Sequence, residues 1–317
     1  MSPVLPPMAR EPAVAGVGSV SNNFRRRGLI AAGAALAASA GLVFVVASKG
    51  HQFTTAVNTA PLLILVAAAV MHLAWLLARC EAWAVCIDAA GGQVPRRRLY
   101  RAASLGYLGN VLNPQLGLGI RIAALRRSAP AESPRASVLV AAELPIVVIE
   151  AALAAIMSFT LVAALGLPWW VPIAALATMA VVVTATCRFA RDHHDRAWRG
   201  LAVMGALRGR SRVVGLVILA VCIQVARNWF VLHAIGVDIS IFDSIALLIG
   251  MAAIGILPVG PGVGAAACVL ILGSNGVASM AAAGALLTVT AVAGAAAFAL
   301  WALFDRLRST LPATSLP

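Results

Sequence analysis

GYLGNVLNPQLGLGIR, residues 106–121, has a counterpart in the other half of the chain, GILPVGPGVG at residues 255–264. Each stretch is too short and too interrupted by Gly and Pro to cross a bilayer, yet too apolar for a surface loop. Non-helical backbone at membrane depth persists only where protein or a water-filled cavity satisfies its free N–H and C=O groups. Such breaks therefore tend to mark a site.

The rest of the chain defines the solvent. Of 317 residues, 62% are hydrophobic and 11% charged, more apolar side chain than a soluble core can hide. The fold class expected is an all-α polytopic membrane protein. Lys and Arg number 24 against 11 Asp and Glu, a net charge of +13. In a soluble protein that excess would suggest nucleic acid. Here the cations fall in blocks between apolar runs, so membrane topology accounts for them and no nucleic-acid partner is expected.

Residues 1–24, rich in Pro, Gly and Ser, read as a disordered cytoplasmic tail; 25–308 read as one transmembrane domain and 309–317 as a second tail. Six apolar runs are expected to span: 29–48, 61–90, 136–165, 169–187, 213–235 and 277–304. The first follows Arg25-Arg26-Arg27, and Arg26-Arg27-Gly28-Leu29 faintly resembles a twin-arginine signal. About 20 residues is long for a signal core. It reads instead as a retained helix.

Arginines orient these runs. Arg25 to Arg27, Arg96, Arg97, Arg98 and Arg101, Arg126, Arg127 and Arg135, the seven between 188 and 212, and Arg306 and Arg308 all belong on the cytoplasmic side. The opposite connections carry one Lys and no Arg. Both termini are then cytoplasmic, provided that each broken stretch re-enters, the first from the inner face and the second from the outer. One hairpin from each face is the pattern of an inverted-topology repeat. Two loosely packed full helices in place of each hairpin are the alternative.

Residues 102–112 would form about 16 Å of helix, roughly half the hydrocarbon thickness, before Asn113-Pro114 breaks it. Pro114 lacks a donor and disfavours helical backbone at Asn113, while Gly117 and Gly119 permit close backbone approach. Pro258, Gly260, Pro261, Gly262 and Gly264 do the same in the second stretch. Helices restarting after such breaks present free N–H groups and partial positive charge, which suit a phosphate or carboxylate.

Charges inside apolar runs cost about 2.5–3.5 kcal/mol each at the membrane centre on insertion scales and usually face the bundle interior. The candidates are His72, Arg79, Glu81, Asp88, Glu143, Glu150 and Arg227, with Arg121 just after the first break. His72, Trp75, Arg79 and Trp83 share one helix face, and Glu143 and Glu150, seven apart, share another. Pro145 between them is expected to kink their helix. The functional expectation is a cleft in which Arg79, Arg121 and Arg227 meet a lipid phosphate and Glu81 and Glu143 balance them, Glu143 and Arg227 facing one another. The alternative is a set of interhelical ion pairs, or snorkelling at helix ends.

Weaker signals point elsewhere. The five cysteines lie in apolar runs without a CxxC and read as small core residues. His193-His194, with Asp192 and Asp195, reads as a solvated basic loop rather than a metal site. No P-loop, HExxH or nucleophile elbow is present, so no catalytic residue, metal or cofactor is expected. The last run, through Gly284 and Gly294, is expected to pack helices closely.

Arg79, Trp83, Gly91-Gly92, GYLGNVLNPQLGLGIRIAALRR, Glu143 and LPVGPGVG together resemble the lysylphosphatidylglycerol synthase transmembrane-region, or flippase-like, family. The likeness spans about residues 29–308, and its most specific element is Asn113, Pro114, Gly117 and Arg121. It implies a membrane half that moves a modified phospholipid between leaflets, or a stand-alone protein, or a companion of glycosyltransferases. Where the family often has a double Gly and a Glu, this chain has Val263 and Ala265-Ala266-Ala267. Ending at Pro317, it is not expected to synthesise aminoacyl lipid by itself.

Two functions follow as expectations. One is a translocator of an anionic or modified phospholipid, or of a lipid-linked glycan. The other is a non-transporting anchor for a cytoplasmic synthase or glycosyltransferase docked on the basic loop 188–212. An integral-membrane transferase is a third, less favoured option. The Ala/Arg bias with a single Lys suggests a high-GC bacterium and its plasma membrane.

Overall fold

A computed structural model describes residues 61–112, 114–128, 130, 133–192, 201–205, 207–255, 263–273 and 276–310. These form twelve α-helices and no strand: α1 (Leu62–Ala89), α2 (Arg96–Leu112), α3 (Pro114–Ser128), α4 (Ala136–Ala141), α5 (Leu144–Met157), α6 (Thr160–Leu165), α7 (Trp170–Asp192), α8 (Ala202–Gly205), α9 (Leu207–Ala234), α10 (Ile241–Gly255), α11 (Val263–Leu272) and α12 (Val277–Thr310). The expected run 29–48 and the basic tail before it lie outside the described residues. The other five runs are all present as segments long and apolar enough to cross a membrane. The exterior agrees, since Val70, Val181, Phe230, Val289 and Leu300 are exposed with no aqueous reason to be. A multi-pass membrane protein results.

Local sequence accounts for the helix limits. α1 ends at Gly91, whose φ of +83° favours glycine, and Gly92 follows with no room for a Cβ between Ile87 and Pro134. Pro114 opens α3, where a missing N–H costs nothing. The helix before it begins earlier than expected, at Arg96 rather than residue 102, because Arg97 and Arg101 are held by Asp305 of α12. The third run is also more broken than expected. Its interruption lies at Ala142-Glu143, and Pro145 sits in the first turn of α5, where proline fits, instead of kinking one continuous helix.

α1, α9 and α12 pack together along the centre and carry two apolar cores, one towards each end. One core joins Leu76, Trp83, Val213, Val217, Ala295 and Phe298 to the α2–α3 hairpin. The other joins Ala68, Val231, Leu232, Met280 and Leu287 to α10 and α11. The halves of the first hairpin touch backbone to backbone: a Cβ at Gly106 would lie 2.6 Å from Arg121 Cβ and 2.8 Å from the Gly117 carbonyl. Similarly, a Cβ at Gly264 would meet the Gly284 carbonyl at 2.8 Å, and one at Gly294 the Ala69 carbonyl at 2.9 Å. The small residues of α12 are therefore contact points for α1 and α11.

Candidate functional site

Beside the first hairpin, α1, α3 and the α4–α5 break bring four charges together. Arg79 Nη2 donates to Glu143 Oε1 at 3.0 Å, and its Nη1 lies 3.1 Å from Glu150 Oε1. Arg121 donates to the other oxygen of Glu143. Its guanidinium also lies 4.0 Å over the Trp83 ring, while Trp83 Nε1 donates to the Leu139 carbonyl at 3.4 Å. The seven-residue spacing of Glu143 and Glu150 thus places both on Arg79 even across the break. Two guanidinium groups meet two carboxyl groups, so the cluster balances its own charge, the condition under which buried ions are tolerated.

Arg227 is different. It is 1% exposed on α9, and its Nη2 donates to Thr290 Oγ1 at 2.7 Å and to the Leu287 carbonyl, its Nη1 to Gln224 Oε1 at 3.5 Å. Its Nε has no partner, and no carboxylate pairs with it among the described residues. The expected meeting of Arg227 with Glu143 does not occur. Arg79 and Arg121 occupy both oxygens of that carboxylate, whereas Arg227 is satisfied by neutral acceptors only.

Arg227 borders a cavity of about 250 Å³. His72, Trp75 and Tyr107 wall one side, with Gln224, Thr288 and Ala291 on the central helices. Asn110, three residues before the first break, lines it together with Gly255 and Val263, which flank the second. The two broken stretches therefore converge on one space. Along each central helix its lining residues fall between the two apolar cores, near mid-length of the long helices. His72 and Trp75 meet in a tilted ring contact at 4.9 Å, and the Arg79 guanidinium lies 5.7 Å from the Trp75 ring. The shared face of α1 thus connects the cavity wall to the charge cluster.

The remaining expected residues scatter. Glu81 accepts from the Tyr100 hydroxyl and lies 3.9 Å from Arg96 Nε, in neither the cluster nor the cavity. Burial, then the Glu81 contact, raises the Tyr100 phenol above its ordinary pKa range. Asp88 pairs with Arg96 at 2.8 Å in an exposed position. Gly117 is the packing point of the first hairpin, Pro114 opens α3, and Gly264 lines the cavity. Asn113, Pro258, Gly260, Pro261 and Gly262 lie outside the described residues, as do His193 and His194. Cys80, Cys86 and Cys268 are buried as expected, but Cys222 is exposed on the outside of α9. His72, on the Arg79 face, lines the cavity. The sequence pattern does not single out Tyr107, Asn110, Gln224 or Thr290 as site residues, and only the i, i+3 spacing of Gln224 to Arg227 points to any of them.

Five membrane-crossing segments, three of which line a cavity that both broken stretches reach, define a polytopic all-α membrane protein. The chain belongs to the family described as the lysylphosphatidylglycerol synthase transmembrane region, whose family model matches residues 30–310. No curated protein and no solved structure matches it.

Proposed function

We propose that this protein is a flippase-like translocator in a bacterial plasma membrane, binding the anionic headgroup of a phospholipid or lipid-linked glycan in the central cavity. The carrying observation is Arg227, a fully buried guanidinium with no carboxylate partner among the described residues, facing a cavity that both broken stretches reach. A phosphate there would supply the missing negative charge. The first residues of α11, Val263 and Gly264, line the same space, so free N–H groups and the positive end of that helix add to the attraction. At about 250 Å³ the cavity lies just below the roughly 300–1,000 Å³ of ordinary ligand sites. It suits a headgroup whose acyl chains stay in the bilayer. Alternating access then requires only that the two hairpins move about a fixed arginine. Arg79, Arg121 and Glu143 hold the first hairpin in place beside it.

The test is a leaflet-resolved headgroup assay in liposomes of phosphatidylglycerol and phosphatidylcholine containing the purified protein. Wild type should accelerate exchange of a labelled phosphatidylglycerol. Arg227→Gln should reduce it at least tenfold at equal reconstitution. Equal movement in Arg227→Gln would remove the cavity from the mechanism. No movement above empty liposomes for wild type would leave the anchor reading, with a cytoplasmic synthase or glycosyltransferase as its partner.

A further inference from the structure

A second cavity, larger than the first, opens at the basic end of the bundle between the open end of the α2–α3 hairpin and the last turns of α12. It encloses about 590 Å³ and is lined by Arg98, Arg101, Arg127 and Arg306, with the hydroxyls of Ser128 and Ser309. Its opposite wall is apolar, formed by Leu105, Ala299 and Leu303 among others. Asp305 neutralises part of this charge. Both its oxygens are taken by Arg97 and Arg101, and Arg101 Nη2 also donates to the Asp305 carbonyl at 2.7 Å and to Ser309 Oγ at 3.2 Å. That network fixes the hairpin to α12 and leaves one carboxylate for two arginines. Arg127 and Arg306 have no ion-pair partner among the described residues, and both are exposed.

We infer that this cavity is a separate binding site for the phosphate of an anionic phospholipid. Arg127 and Arg306 would hold the phosphate from two sides, flanked by the hydroxyls of Ser128 and Ser309, which donate to the Leu125 and Arg306 carbonyls of their own helices. The apolar wall favours a lipid over a soluble phosphate ester. Leu105 is 47% exposed and Leu303 55%, and Leu300, Phe304 and Leu307 continue an exposed apolar strip along α12. Acyl chains can follow that strip into the bilayer without leaving the cationic cavity. The site does not depend on transport through the central cavity, since none of its residues lines that cavity.

Native mass spectrometry of the full chain in detergent, titrated with dihexanoyl phosphatidylglycerol, tests the inference. Controls are dihexanoyl phosphatidylcholine and glycerol 3-phosphate. Arg127→Gln/Arg306→Gln replaces two exposed side chains and should fold as wild type, checked by an unchanged thermal midpoint. It should lose one phosphatidylglycerol adduct, or weaken that adduct at least tenfold, while Arg227→Gln keeps it. Phosphatidylcholine should not form the adduct, and added salt should weaken it. An adduct count and affinity unchanged in the double variant would overturn the inference, whatever Arg227→Gln does. Glycerol 3-phosphate occupying the site as tightly as the lipid would overturn the lipid assignment and make the ligand a soluble phosphoryl group. Loss of binding in Arg227→Gln alone would likewise leave only the central site.

Discussion

The Arg79–Glu143–Arg121 cluster and the Arg227 site lie along one face of α1, seven residues separating Arg79 from His72 at the cavity, and they treat buried charge in opposite ways. In the first, carboxylates balance the charge of the guanidinium groups and an indole ring packs against one of them, although Arg121 Nε has no partner. In the second, a guanidinium is surrounded by an amide, a hydroxyl and a carbonyl, and its Nε is left over. A balanced cluster stabilises the folded state and has little capacity for a ligand. An unbalanced one costs stability when empty and gains by binding an anion.

Glu143→Gln should break this comparison most severely, since it strands Arg121 without a carboxylate. A loss of about 3–5 kcal/mol is expected, read as a fall in folded yield and in the unfolding midpoint in detergent. A variant as stable as wild type would show that the cluster is not a structural element. Gly106→Ala acts on the same cluster through packing, because its Cβ would collide with Arg121 Cβ and the Gly117 carbonyl. Overpacking of this kind costs about 1–3 kcal/mol, and the thermal midpoint should fall accordingly.

Arg227→Gln should do the reverse, leaving stability equal or higher while headgroup movement falls at least tenfold, about 1.4 kcal/mol or more. Reduced folding in proportion to activity would make Arg227 merely structural. Glu81→Gln, in contrast, should leave headgroup movement unchanged and shift stability by about 1 kcal/mol, since its pair with Arg96 is half-exposed and a glutamine can still accept from the Tyr100 hydroxyl. A large transport defect would restore Glu81 to the site. The smallest effect is the coupling between Glu143→Gln and Arg227→Gln. Without a shared partner, their stability effects should add to within about 0.5 kcal/mol, and a double-mutant cycle exceeding that would show the two clusters acting as one.

Several of these features are legible in the order of the residues alone. Composition dictates the solvent, and five apolar runs form five spanning segments. Pro114 and the glycines of 106–117 signal the first break, and α2 ends at Leu112 with α3 starting at Pro114, while Arg79, Trp83 and His72 share the face expected of their spacing. The partner of Glu143 is not legible. Its two oxygens are equally available to Arg79, Arg121 and Arg227 on charge alone, and Pro145 signals a disruption of the helix without showing which arginines the break at Ala142-Glu143 faces.

The order of residues therefore dictates everything that depends on a residue and its near neighbours: membrane solvent, helix-breaking points, helix faces and the number of costly charges. Which of those charges cancel follows from how the helices pack. Pairing depends on how α3 and the α4–α5 break approach α1, where Trp83 lies under the Arg121 guanidinium and donates to the Leu139 carbonyl. Arg227 kept its charge uncancelled because α9 enters the bundle beside α12, whose nearest acceptors are the neutral Thr290 and the Leu287 carbonyl.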